Sequence, residues 1–99
     1  MPRLFLDVDP RTLHLPTSRR TGADPFKLQR QVAKFGNATH GMPVIEVSRG
    51  SDGELMINNG VTRATRVAKL LPETLVRVEV IDDLPAPVGH LPKIGDMIP

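Results

Sequence analysis

Residues 57–70 read INNGVTRATRVAKL, and this stretch decides the fold. It predicts the end of a strand, a turn at the glycine and a helix over 61–71, which the following Pro72 terminates because proline cannot continue a helix. The helix is indicated by an apolar stripe at helical spacing, which consists of Val61, Ala64, Ala68 and Leu71. The sequence therefore predicts a strand, a tight turn and a helix in direct succession.

Strands are predicted on both sides of this unit. Residues 42–47 and 54–58 are rich in apolar and β-branched residues, and the turn sequence GSDG at 50–53 between them indicates a hairpin. After the helix, residues 75–81 alternate with period two, as a half-buried strand does.

The first third of the chain supplies a second helix. Residues 4–8 and 12–15 are predicted as short extended pieces, and the polar stretch 17–22 as a loop. Asp24 is a favoured N-cap, proline follows at the first helical position, and Gly36 can terminate a helix, so a helix is predicted over 25–35. Its apolar positions share one face, and its other face is basic.

The order β, β, α, β, β, α, β predicts one small α+β domain, mostly sheet with two helices. Residues 1–83 form this domain in the prediction, and residues 84–99 form a Pro-rich tail that is extended or disordered alone. Four apolar residues of the tail could dock on a partner or on a second copy of the chain: Leu91, Ile94, Met97 and Ile98.

Composition excludes several classes of protein. The chain has 99 residues, of which 39% are hydrophobic. Because it has no cysteine, it cannot form disulfides or thiolate metal sites. No apolar run approaches the ~20 residues of a membrane span, and the start lacks the features of a signal peptide, so we expect a cytoplasmic protein without membrane contact. The formal net charge is +2, but basic residues predominate before Pro72, which suits an anionic ligand.

The glycine turn is the main candidate site. Where a strand runs through a glycine into a helix, free backbone N–H groups can bind an anion together with the Thr62 hydroxyl and the Arg63 guanidinium. Asn59 could add its side-chain amide, and Arg66 lies one helical turn further on. The alternative is that Gly60 only permits the turn and Thr62 only caps the helix.

The order and spacing of these features resemble the N-terminal domain of ParB-type partition proteins and the related sulfiredoxins. The resemblance covers residues 13–81 and includes an Arg-bearing loop at 18–20, the segment GMPVIEV at 41–47 and GVTR at 60–63. It implies that Gly60, Thr62 and Arg63 bind nucleotide phosphates, with Arg19 or Arg20 closing the site. The ligand would then be a nucleotide, with Mg²⁺, or a nucleic-acid backbone.

Departures from the family pattern limit what the resemblance implies. Val61 stands where ParB-type proteins usually carry an acidic residue, which puts nucleotide hydrolysis in doubt. Sulfiredoxin activity is excluded because the chain has no cysteine. With 99 residues there is no room for the DNA-binding and dimerisation modules of a partition protein, so we expect a stand-alone single domain.

Two other functions remain open from the sequence. The first is a toxin-like nuclease that uses the same site, with His40 as a candidate general acid or base, because this histidine precedes a strand beside the glycine turn. No spacing of histidines or acidic residues indicates a metal site. The second is a non-catalytic protein-interaction module that binds a protein partner or forms a homodimer through the tail.

Overall fold

The computed structural model describes residues 3–98, which form an α+β domain with a four-stranded mixed sheet and two helices. The strands lie in the order β1-β4-β2-β3; β2 and β4 are parallel, and the other neighbours are antiparallel. In chain order the elements are β1 (Leu4–Val8), α1 (Pro25–Phe35), β2 (Ile45–Arg49), β3 (Leu55–Asn59), α2 (Val61–Leu70) and β4 (Val76–Asp83), with short 3-10 turns at Pro10–Thr12, Thr17–Arg19 and Ile94–Met97.

Helix α1 has the predicted bounds because its two ends are fixed by local chemistry. The Asp24 carboxylate accepts a hydrogen bond from the backbone N–H of Phe26 at 2.8 Å, and Gly36 ends the helix at a positive φ of 54°. The predicted apolar face is only half-buried, since no residue of α1 is fully buried. This helix lies at the edge of the domain and packs on α2.

The predicted hairpin is confirmed as β2 and β3, with β2 starting three residues later than expected, beyond Pro43. The extended piece predicted at 12–15 is reduced to one bridging residue, His14, which pairs with Met56 of β3.

The core lies between the sheet and α2, and its fully buried side chains include Ile45, Val47, Ile57, Val67 and Val78.

The described part of the predicted tail, residues 84–98, packs on the domain, which corrects the expectation that it is extended or disordered. The backbone N–H of Leu15 donates to the Pro92 carbonyl at 2.7 Å, and that of Ile94 donates to the Leu13 carbonyl at 2.9 Å. Leu91 and Ile94, which were expected to dock on a partner, are buried within the domain itself. The physical reason is that residues 13–15 pair with β3 along one edge and need hydrogen-bond partners along the other.

Two side chains hold this C-terminal segment against the hairpin. The buried ring of His14 contacts the Leu91 carbonyl through Nδ1 at 2.8 Å and the Glu54 carboxylate through Nε2 at 3.0 Å. Asp52, in the β2–β3 turn, accepts a hydrogen bond from the backbone N–H of Gly89 at 2.8 Å. Among residues 3–98, no helix has the length and apolar character needed to cross a bilayer.

Candidate functional site

Gly60 forms the turn between β3 and α2 and is the N-cap of α2. Its φ of 115° lies in the left-handed region, which residues with a Cβ rarely adopt. A Cβ at this position would lie 3.0 Å from Nη2 of Arg63 and 3.0 Å from Cγ1 of Ile45. Glycine therefore allows the Arg63 guanidinium to lie directly against the backbone of the turn.

The first turn of α2 leaves hydrogen-bond donors without acceptors. The first helical bond runs from the Ala64 N–H to the Gly60 carbonyl at 2.9 Å, and no group within residues 3–98 accepts from the backbone N–H groups of residues 61–63. No side chain caps this end, and no acidic residue lies in the first turn. The positive end of the helix is thus open to an anion.

Arg63 adds a full positive charge at the same place. Burial lowers the pKa of its guanidinium, and the Glu46 carboxylate opposes this effect from a distance. The guanidinium forms no salt bridge or hydrogen bond with any other described residue. A cation at the N-terminus of a helix is repelled by the helix dipole, so the dipole disfavours the Arg63 charge at this position unless an anion binds there.

Three chain segments line an open pocket of about 510 Å³ around this turn, which we call the Gly60 pocket. Residues 58–63 form one wall, residues 16–19 a second, and the N-terminal part of α1 the third. Arg19 and Lys27 line it together with Arg63, so three cations surround the cavity. The only acidic residue in its lining is Asp24, whose carboxylate caps α1.

The structure brings together most of the predicted ligand-binding residues. Gly60, Thr62, Arg63, Arg19 and Asn59 all line the Gly60 pocket. The Asn59 side-chain amide is 3.4 Å from the Glu46 carboxylate, at the outer limit of a hydrogen bond. The exposed Arg20, the C-cap of the 3-10 turn, does not line the pocket.

Two further lining residues, Lys27 and Gln31, were not predicted as part of this site. They lie four residues apart and so occupy one face of α1. Their spacing in the sequence therefore predicts that both side chains lie on one face of the helix. The sequence could not show that this face lines the Gly60 pocket, because α1 packs on α2 rather than on the sheet.

Arg66 was predicted as a ligand residue, and the structure corrects this role. Its side chain is 1% exposed, and Nη1 donates to the carbonyls of Gly36 at 2.9 Å and Ala38 at 2.8 Å. Since these carbonyls follow the C-terminus of α1, Arg66 compensates the negative end of that helix and joins it to α2. Nη1 and Nη2 are used within the protein and the whole side chain is buried, so Arg66 is not placed to bind a phosphate in the Gly60 pocket.

His40, the predicted catalytic residue, lies in a second cavity of about 180 Å³ beside the Gly60 pocket, which we call the Phe35 depression. Gln31 and Arg63 line both cavities and form the wall between them. No acidic residue lines the depression. Across residues 3–98, no three His, Asp or Glu side chains lie close enough to hold a metal ion. The role of His40 in a nuclease reaction stays a prediction.

Comparison with known protein families and with curated proteins gives no significant match to this chain. The resemblance to the ParB and sulfiredoxin family accordingly stays a prediction. The arguments about function below depend on the geometry of the two cavities and on the charges around them.

Proposed function

We propose that the protein binds a phosphate-bearing ligand in the Gly60 pocket. Phosphate oxygens would accept hydrogen bonds from the N–H groups of residues 61–63 and from the guanidinium of Arg63, with Arg19 and Lys27 completing the positive surroundings. Charge-assisted hydrogen bonds of this kind are stronger than neutral ones. Binding would also relieve the repulsion between Arg63 and the helix dipole.

The observation that carries this proposal is the position of the Arg63 side chain. Positively charged residues are unfavourable in the first turn of a helix, where Asp and Glu are preferred. Here the guanidinium lies over the glycine of the N-cap in a cavity lined by two further cations, and among the described residues it has no salt-bridge partner, with Glu46 acting on it only from a distance. An anion with several acceptor oxygens satisfies all of these groups at once.

The shape of the site favours a discrete phosphate group over a nucleic-acid duplex. The cations line a cleft between three segments, and Arg66, which was predicted to bind the ligand with them, is buried. A duplex backbone is normally bound by exposed cations on a broad surface. We therefore place a nucleotide or another small phosphate compound ahead of DNA or RNA.

The proposal is tested by thermal shift and isothermal titration calorimetry with pyrophosphate, nucleoside triphosphates with and without Mg²⁺, and short DNA and RNA. We expect at least one phosphate compound to raise the Tm of the wild type, as any ligand of the native state does. Arg63→Ala should weaken its binding about 10- to 100-fold, the range for a lost hydrogen bond to a charged group.

Lys69→Ala is the matched control, because Lys69 is an exposed cation on the same helix, outside the Gly60 pocket. This variant should bind like the wild type. Equal binding by Arg63→Ala and the wild type, or the absence of binding by any phosphate compound, would refute the proposal.

A further inference from the structure

The Phe35 depression adjoins the Gly60 pocket, with which it shares Gln31 and Arg63, and differs from it in chemistry. Its lining is mainly apolar, with Phe35, Met42 and Pro43, whereas the Gly60 pocket is mainly polar. Its volume of about 180 Å³ is close to the ~150 Å³ of an apolar cavity that binds benzene. A volume of this size holds one planar ring, and the half-exposed Phe35 side chain offers apolar surface to it beside the Lys34 and Arg66 cations, which lie over the phenyl ring at 5.3 and 5.4 Å.

Two residues that line the depression each carry a buried polar atom without a partner among the described residues. Within residues 3–98, the buried side-chain nitrogen and oxygen atoms without a hydrogen-bond partner are Oε1 of Gln31 and Nε of Arg66. Both residues line the Phe35 depression. One atom is an acceptor and the other a donor, and buried groups of this kind are nearly always paired in native proteins.

The side chain of Gln31 can adapt to a ligand. No described group forms a hydrogen bond with its amide, so a rotation about the last side-chain torsion can present either the oxygen or the nitrogen to the cavity. The guanidinium of Arg66, in contrast, is fixed by the carbonyls of Gly36 and Ala38. A ligand group in the depression thus meets the adjustable amide of Gln31, which can both donate and accept, whereas Nε of Arg66 is buried and its guanidinium lies over the Phe35 ring.

We infer that the Phe35 depression binds the organic part of the phosphate-bearing ligand, and that this part is a single planar ring with a hydrogen-bond donor and an acceptor. The inference rests on the proposed function, because it places the phosphate of the same molecule in the Gly60 pocket. Gln31 and Arg63 connect the two parts of the site, since both side chains line both cavities. Gln31 is then the residue that determines ligand specificity.

Three probes of increasing complexity test this inference by calorimetry: inorganic phosphate, phenyl phosphate and 3-carbamoylphenyl phosphate. The ring of phenyl phosphate should strengthen binding about tenfold over inorganic phosphate through burial of apolar surface. The carbamoyl group supplies a donor and an acceptor and should add about another tenfold.

Substitutions assign each gain to its residue. Phe35→Ala should reduce the advantage of both aromatic esters over inorganic phosphate, which does not contact Phe35. Gln31→Leu should remove the tenfold preference for 3-carbamoylphenyl phosphate over phenyl phosphate. Gln29→Leu is the control, because Gln29 is an exposed glutamine on the same helix and lines neither cavity.

The outcomes separate this inference from the proposed function. If all three probes bind equally, depend on Arg63 and are insensitive to Phe35→Ala, the phosphate site stands and the inference fails. It also fails if Arg63→Ala binds the aromatic esters as tightly as the wild type does, because the ring would then bind without its phosphate. If no probe binds to the wild type at all, both the proposed function and the inference are refuted.

Discussion

The guanidinium of Arg63 lies against the α-carbon of Gly60, so close that a methyl group on Gly60 would lie 3.0 Å from Nη2. The two residues occupy the N-cap and the third position of α2, and their contact requires both the missing side chain and the positive φ of the glycine. The position of Arg63 therefore depends on the glycine at position 60. The two residues can be substituted one at a time to test their roles in phosphate binding.

Gly60→Ala should weaken phosphate binding and destabilise the domain by about 1–3 kcal/mol, because alanine is strained at a φ of 115° and displaces Arg63. The measurement is urea denaturation together with calorimetric titration of pyrophosphate. Gly53→Ala is a matched control, since Gly53 also has a positive φ, 82°, but nothing lies within 4 Å of its added Cβ. That variant should lose stability and keep its affinity. Unchanged pyrophosphate affinity in Gly60→Ala would contradict the proposed geometry.

Arg63→Ala should be at least as stable as the wild type when no phosphate is present, with a gain of about 0.3–1 kcal/mol from removing a cation at the positive end of α2. Urea denaturation at low ionic strength, in a buffer without phosphate or sulfate, measures this effect. Saturating pyrophosphate should reverse the order of the two proteins. A clear loss of stability without ligand would mean that Arg63 has a structural role instead.

Arg66→Met should destabilise the domain by about 2 kcal/mol, because the carbonyls of Gly36 and Ala38 lose their donor while the methionine keeps much of the buried volume. For a domain of this size that corresponds to a decrease in Tm of roughly 8–16 °C. Lys69→Met, an exposed position on the same helix, should change the Tm little. A normal Tm combined with weaker phosphate binding would restore Arg66 as a ligand residue.

Ile94→Ala should destabilise the domain by about 2–4 kcal/mol, since the side chain is 1% exposed and belongs to the core. Met97→Ala, three residues further and 41% exposed, should cost little. Denaturation midpoints of the two variants measure the difference. If Ile94→Ala were as stable as the wild type, residues 84–98 would not be part of the folded domain in solution.

Attachment of the C-terminal segment through Asp52 should depend on pH. Burial by itself would raise the pKa of Asp52, but hydrogen bonds from the backbone N–H groups of Gly89, Glu54 and Val88 lower it below its ordinary value. Because the pKa is lower in the folded protein, the stabilisation is present above the ordinary aspartate pKa of about 3.9 and is lost as the pH falls through the folded value.

The wild type should therefore be more stable than Asp52→Asn at pH 7, and the difference should shrink below about pH 4. Urea denaturation at pH 7, 5 and 3 gives the comparison. Asp82→Asn is the control, because Asp82 is exposed and forms no hydrogen bond with another described residue. A difference for Asp52→Asn that is constant over this range would show that its charge is not involved.

The sequence predicts those parts of the fold that depend on local chemistry. Asp24 and Gly36 determine both ends of α1, and the glycine turn leads into α2 as predicted. Of the three cations around the Gly60 pocket, Arg63 was predictable because the strand, the turn and the helix follow one another in sequence. Arg19 was expected only from the family resemblance, and Lys27 was not predicted.

Contacts between distant segments could not be predicted. Arg66 lies off the apolar stripe of its own helix and so reads as a surface residue, but the C-terminus of α1 covers it. Likewise, nothing in the Pro-rich composition of residues 84–98 indicates that the backbone of residues 13–15 has an open edge to pair with. In both cases the deciding partner is many residues away along the chain.

The pairing of residues 13–15 with residues 92–94 limits how fast the domain can fold. Strand β1 already pairs with β4, and this second ladder again joins the two ends of the described chain. Such long loops close slowly, so we expect folding in milliseconds to seconds rather than microseconds. During synthesis, the edge at residues 13–15 stays open until residue 94 has left the ribosome, and a nascent chain is exposed to edge-to-edge aggregation over that interval.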